Sequence, residues 1–148
     1  MGRHRVGLWL VGAFGGVGTT IALGLSAMAR GLVDRTGLVT DLPMFRDLPL
    51  PEPGDFVLGG HEIRRTSFGE SAEEFRRNSG VYESGWIAAC ADDLAAATER
   101  VRPGTSFGSG RAIAQLGHWA EAKPPRTAQQ AVDHIAADLE AFVGSQSI

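Results

Sequence analysis

The chain has 148 residues, 43 % hydrophobic and 21 % charged, with a net charge of −3. That length suits one domain with a buried core, and the acidic balance gives no basic footprint for nucleic acid. No run reaches the ~18 consecutive apolar residues of a membrane helix, and a lone cysteine, Cys90, excludes an internal disulfide and fits a reducing, cytoplasmic compartment.

The basic start, Met1 to Arg5, precedes apolar residues as a secretory leader would, but glycines break that run and a turn explains it better. Arg5 to Val11 reads as a short buried strand. Val17 to Arg30 reads as a helix with Ile21, Leu25 and Met28 on one face and Gly31 at its stop. Thr36 to Thr40 is predicted as a second strand, ended by Asp41 and Pro43, and Pro43 to Pro53 as irregular. Asp55 to Ile63 begins as a third strand and is expected to break at Gly59-Gly60.

Ser71 with Glu74 spells a capping box for a helix through Asn78. A longer helix is predicted from Tyr82 to Arg102, with Ile87, Cys90, Leu94 and Val101 as its apolar face and Pro103-Gly104 as its end. Within it Cys90 reads as a small buried hydrophobe rather than a reactive thiol. Thr105 to Phe107 is a candidate strand entering a second glycine-rich loop, Gly108-Ser109-Gly110. After the linker Lys123-Pro124-Pro125, Thr127 caps a last helix with Gln130 at the capping-box position. Its buried stripe is Val132, Ile135, Leu139 and Phe142, and Gly144 is its end. Strands alternating with helices predict an α/β, Rossmann-like domain with a mostly parallel sheet.

The chemistry concentrates in VGAFGGVGTT, Val11 to Thr20. A helix N-terminus after a first parallel strand offers unpaired N–H groups and the positive end of the helix dipole, and a pyrophosphate reaches it only if no side chain intervenes. Gly12 suits the tight turn, Gly15 and Gly16 the close approach, and Gly18 the packing of helix on strand. The spacing G-x-x-G-G-x-G is a variant of the dinucleotide fingerprint, which makes Gly12, Ala13, Phe14, Gly15, Gly16, Val17, Gly18 and Thr19 candidate cofactor contacts. A ligand-free tight turn is the plainer alternative. No Gly-Lys-Ser/Thr ending marks a P-loop.

Such a site also wants a carboxylate for the adenosine ribose. Asp41, at the end of the predicted second strand, and Glu62, after the third, are both candidates. No arginine adjoins Asp41 to take a 2′-phosphate, so NAD is expected first, while Arg64 and Arg65 after Glu62 leave NADP as the second choice. Ser109 is placed to reach the cofactor or a substrate phosphate, or else belongs to a flexible loop. His118 and His134 lack a second ligand at metal-binding spacing, and no metal site is assigned.

In this order, WLVGAFGGVGTT, GLVTDLPMF, FVLGGHEIR, GTSFGSG and VDHIAADLEAF resemble the inositol-3-phosphate synthase (myo-inositol-1-phosphate synthase) family, in its shorter prokaryotic and archaeal type. The resemblance covers nearly the whole chain. It implies NAD that oxidises glucose 6-phosphate at C5 and, after ring closure, reduces the product, so that the cofactor is regenerated. It favours Glu62 as the ribose acid, with His61 where the family has an aromatic residue. It also implies that the catalytic lysines lie in a later, sheet-rich domain, whereas Lys123 is the only lysine here.

The chain, ending Gly-Ser-Gln-Ser-Ile, is therefore expected to be the N-terminal portion of a longer architecture, a sheet incomplete at its C-terminus with no catalytic residue of its own. Glucose 6-phosphate becomes a partner only when the catalytic domain is supplied. An uncovered strand edge and helix face predict self-association. A dehydrogenase fragment using the same loop and a stand-alone NAD(H)-binding module are the rival readings.

Overall fold

The computed structural model describes residues 5–117, 119, 124–146 and 148, so Met1 to His4, His118 and Lys123 lie outside the described residues. β1 (Val6–Val11) leads through the glycine loop into α1 (Gly16–Ala29). A crossover of 3-10 turns at Val39–Asp41, Pro43–Phe45 and Pro53–Asp55 then brings the chain to β2 (Phe56–Glu62). α2 (Phe68–Ser79), α3 (Ser84–Ala89) and α4 (Ala91–Thr98) precede β3 (Val101–Pro103). α5 (Arg111–Leu116) and α6 (Ala128–Gln146) follow.

The strands form one parallel sheet in the order β1-β2-β3, with Leu8 opposite Leu58 and Gly60 opposite Val101. Parallel pairing requires helical crossovers, and it buries the central strand on both faces. β2 obeys this: every residue after Phe56 is buried. On one face Leu8, Leu10 and Leu58 pack with α1, α2 and α4 around Phe14, Phe68, Cys90 and Leu94, each at most 1 % exposed. Burying a side chain as large as Phe or Leu contributes about 2 kcal/mol. Phe14 meets Phe68 edge to face with ring centroids 5.0 Å apart. Burial pushes the Cys90 thiol up, so the inert, core reading of this cysteine is the one the structure supports.

The opposite face of the sheet carries Trp9, Val57, Gly59 and His61, by the alternation of side chains along each strand, and α6 lies over it. Phe142 stands 5.1 Å from the Trp9 ring. The indole Nε1 of Trp9 donates to His61 Nδ1 at 3.2 Å, which leaves the imidazole proton on Nε2, 2.8 Å from Asp138 Oδ2. This half-buried chain of hydrogen bonds ties β1, β2 and α6 together. β1 is an edge with no second neighbour among the described residues, and its last residue, Val11, is 88 % exposed.

Several sequence expectations need correction. Thr36 to Thr40 is not a strand: Leu38 N–H donates to Arg35 O and the chain coils into a 3-10 turn, with Val39 exposed and no strand beside it. The place beside β1 goes to Phe56–Glu62, and that strand does not break at its glycines. An added Cβ on Gly60 would lie 2.3 Å from Leu10 O, and one on Gly59 would lie 2.8 Å from the Phe142 ring, so these glycines admit neighbours rather than turn the chain.

The predicted helix from Tyr82 to Arg102 is two helices broken at Cys90, and its last residues are β3, because Val101 enters the core and pairs with β2. Pro103 closes a strand at the sheet edge, where its missing N–H is tolerated. Thr105 to Phe107 is loop, and Arg111–Leu116 is a helix the sequence did not announce. α2 begins four residues early, capped by Ser67, whose hydroxyl accepts from Glu70 N–H at 3.1 Å; Ser71 is inside the helix and buried.

The buried stripe of α1 is Thr19, Ala22, Leu23 and Ala27, with Ile21, Leu25 and Met28 half-buried on its flank. In α6 only Ala131 and Phe142 are buried, Val132 faces solvent, and the helix runs past Gly144 to Gln146. Its predicted N-cap holds: Thr127 Oγ1 accepts from Gln130 N–H at 3.2 Å. So does the stop of α1, where Leu32 N–H donates back to Ala27 O across Gly31.

Candidate functional site

The site grows from the C-terminal end of β1. At Gly12 the backbone takes φ +77°, a conformation L side chains rarely adopt, and this turns the chain so sharply that Gly12 N–H and Ala13 N–H both donate to His61 O, at 2.9 and 3.1 Å. Gly15 N–H donates to Gly12 O at 2.9 Å and closes the loop. Phe14 drives its ring into the core while its N–H points at Glu62. Gly18 sits against the loop it follows: an added Cβ would be 2.2 Å from Ala13 O. The glycine spacing thus describes a loop folded back on the first turn of α1.

That first turn is uncommitted. Gly15, the N-cap residue, has no side chain to offer, and no acidic residue lies in the turn. Among the described residues the N–H groups of Gly16, Val17 and Gly18 have no partner; the first capped amide is Thr19 N–H, bonded to Gly15 O at 2.9 Å. Gly16 and Val17 are exposed. Free amides, an uncompensated helix dipole and an approach clear of side chains together make a site for an anion.

Glu62 flanks the turn. Its side chain is 5 % exposed, and its carboxylate accepts from Phe14 N–H (2.9 Å) through Oε2 and from Ile63 N–H (2.9 Å) and Arg64 N–H (3.2 Å) through Oε1. A carboxylate offers about four acceptor positions, so one on Oε2 remains. Arg64 closes the arrangement: Nη2 donates to Phe14 O at 2.6 Å, and Nε lies 3.9 Å from Glu62 Oε1.

Of the sequence candidates, the structure therefore gathers Gly12 to Thr19 and Glu62. It divides them by role: Gly12, Ala13 and Phe14 spend their amides inside the protein, Gly16 to Gly18 keep theirs, and Thr19 turns its side chain inward. Asp41 stands apart. It is in the 3-10 crossover, exposed, and bridged by Arg35, which bonds it at 2.8 Å and also pairs with Glu52. Ser109 is exposed in the loop after β3, its N–H donating to Ser106 O at 3.0 Å.

That loop begins with Gly104 N–H bonded to Glu62 O at 2.7 Å, so it rises from the same end of the sheet. Beside it opens a cavity of about 300 Å³ whose lining includes Ile63, Thr105, Ser106, Phe107 and Trp119. Trp119 N–H donates to Ile63 O at 2.9 Å, and its ring stacks parallel to Phe14 at 6.4 Å. The sequence reading missed Arg64 as a loop clamp and Trp119 altogether, and took Ser71 for a helix cap. For Arg64 the signal was its place two residues after Glu62; the other two depend on tertiary approach.

No group of His, Cys, Asp and Glu that could hold a metal exists among the described residues, and no helix there is long and apolar enough to cross a membrane. The chain matches the NAD-binding family model described as Myo-inositol-1-phosphate synthase over residues 6–148. No curated protein matches it at a significant level.

Proposed function

Because the chain belongs to the myo-inositol-1-phosphate synthase family and its cofactor is NAD, we propose that it forms the NAD half-site of an isomerase converting D-glucose 6-phosphate to 1D-myo-inositol 3-phosphate. The observation that carries this reading is the set of three free amides at Gly16, Val17 and Gly18 beside the buried carboxylate of Glu62. The amides take the pyrophosphate, and the remaining acceptor position of Glu62 takes a ribose hydroxyl. The adenine lies in the cavity next to Ile63, where Trp119 and Phe107 give flat apolar walls and Thr105 and Ser106 give hydroxyls for the base edge. Ser109, on the same loop, stands nearer solvent.

NAD supplies a reversible hydride acceptor to such a reaction; the chain supplies grip and orientation. Proton transfer at the sugar needs a side chain that can hold and release a proton, which a lysine ammonium does and an arginine does not; Lys123 is the one lysine, so the chain alone is expected not to turn over. An assay of the isolated chain with glucose 6-phosphate and NAD is expected to stay at background, and inositol phosphate formation above it overturns this part of the reading. The lone, buried Cys90 supports a cytoplasmic location.

Isothermal titration with NAD tests the half-site. Gly16→Val is the informative variant, since its side chain blocks the free amides while its Cβ meets only the edge of the Phe75 ring, at 3.0 Å, which can give way. The parent chain is expected to bind and Gly16→Val to bind at least tenfold more weakly, a loss of about 1.4 kcal/mol, with an unchanged circular dichroism spectrum. Equal affinities remove the cradle from this turn.

A further inference from the structure

Beside the first turn of α1, where α1 and α2 face each other, lies a second cavity of about 140 Å³. A single water needs only ~10–15 Å³ of such space, so this cavity holds more than one small group. Its lining includes Thr19 on α1 and Ser71 on α2. Their hydroxyls are buried, the residues being 1 % and 4 % exposed, and neither has a hydrogen-bond partner among the described residues. Buried hydroxyls are almost always bonded, and leaving one without a partner is costly. Both residues line this one cavity, and two unpartnered hydroxyls beside it point to an occupant.

The chemistry of the lining selects it. Arg64 contributes a guanidinium and Asn78 an amide, and the positive end of the α1 dipole lies beside them. With the two hydroxyls, donors prevail. Glu74 is the one carboxylate in the lining; it lies 4.0 Å from Arg64 Nη1, and its side chain is 58 % exposed, free to turn outward.

We propose that this cavity is an oxyanion subsite, sized for a single phosphate group and separate from the amides assigned to the cofactor pyrophosphate. Thr19 and Ser71 donate to the anion from the two helices and Arg64 closes over it. The inference deepens the reading of the same site and rests on it only for where the pyrophosphate lies. The phosphate is either a free or monoester phosphate held beside NAD or the 2′-phosphate of a dinucleotide, and both present the same oxygens to these donors.

The test follows inorganic phosphate binding to the full chain by ³¹P line broadening and by the rise in melting temperature, alone and with saturating NAD or NADP. Thr19→Val combined with Ser71→Ala removes both hydroxyls at nearly constant volume, and circular dichroism checks its fold. Phosphate is expected to bind with NAD present, and the double variant to weaken it at least tenfold while its circular dichroism spectrum matches the parent. Displacement of phosphate by NADP but not by NAD assigns the subsite to the 2′-phosphate; retention with both assigns it to a separate phosphate.

Displacement by NAD and NADP alike overturns the proposal, since phosphate then sits in the pyrophosphate cradle. So does phosphate binding that the double variant leaves intact, or none at all. Because phosphate is followed without nucleotide as well, a failure of the NAD reading leaves a result distinct from a failure of this one.

Discussion

A Gly18→Ala chain is expected to lose NAD binding and much of its thermal stability together. The added methyl lies 2.2 Å from Ala13 O and 2.9 Å from Ala13 C, and both are backbone atoms of a loop that cannot retreat freely. Gly12 N–H and Ala13 N–H are bonded to His61 O, so any retreat pulls the loop off β2. Overpacking against fixed atoms costs about 3 kcal/mol, a large part of the roughly 5–15 kcal/mol that holds a domain folded. Calorimetry is expected to show a fall in melting temperature of roughly 10 °C, and titration no NAD binding. A variant that melts with the parent shows that α1 does not sit against Ala13.

The second large effect belongs to Glu62. Glu62→Ala strips the acceptor from Phe14, Ile63 and Arg64 N–H groups at once. Phe14 is 1 % exposed, and a buried donor left without an acceptor costs about 1–3 kcal/mol. The other two amides are nearer the surface and regain water in part, which puts the total near 3 kcal/mol. NAD affinity falls by at least tenfold, because the loop loses its tether and the ribose its acceptor. Glu62→Gln keeps one carbonyl oxygen and is expected to recover part of the stability and little of the affinity. Asp41→Asn is the control: Asp41 is exposed and held by Arg35 far along the crossover, so both measurements should match the parent. If Asp41→Asn abolishes binding while Glu62→Gln does not, the ribose acid has been placed on the wrong residue.

Local chemistry made much of this legible. The apolar run into a glycine cluster and a small-residue helix marks β1, the loop and α1 without ambiguity, because only a strand-turn-helix uses that order. The caps at Gly31 and Thr127 were readable for the same reason: each acts within a few residues. What failed depended on distant neighbours. TGLVT has strand composition but no partner strand, whereas FVLGGHE, marred by two glycines, lies at the centre of the sheet because Phe142 and Leu10 need the room. Val101 has a place on a helical stripe and on a strand, and pairing with Gly60 decided it.

In the site, Glu62 was visible as an acid at a strand end. That Phe14 N–H, 48 residues away in sequence, would be its partner was not. Thr19 and Ser71 share no local signal; only the meeting of two helices puts their hydroxyls at one cavity.

The sheet is clad unequally. One side has a thick helical layer, while the other relies on α6, fastened by Phe142 against Trp9, by Asp138 on the His61 ring and by Arg5 reaching Gln146 O at 3.2 Å. Such cladding can peel while the rest of the molecule keeps its shape, and it covers the residue whose carbonyl anchors Gly12 and Ala13. The nucleotide loop and the C-terminal cladding thus hang from opposite sides of a single histidine.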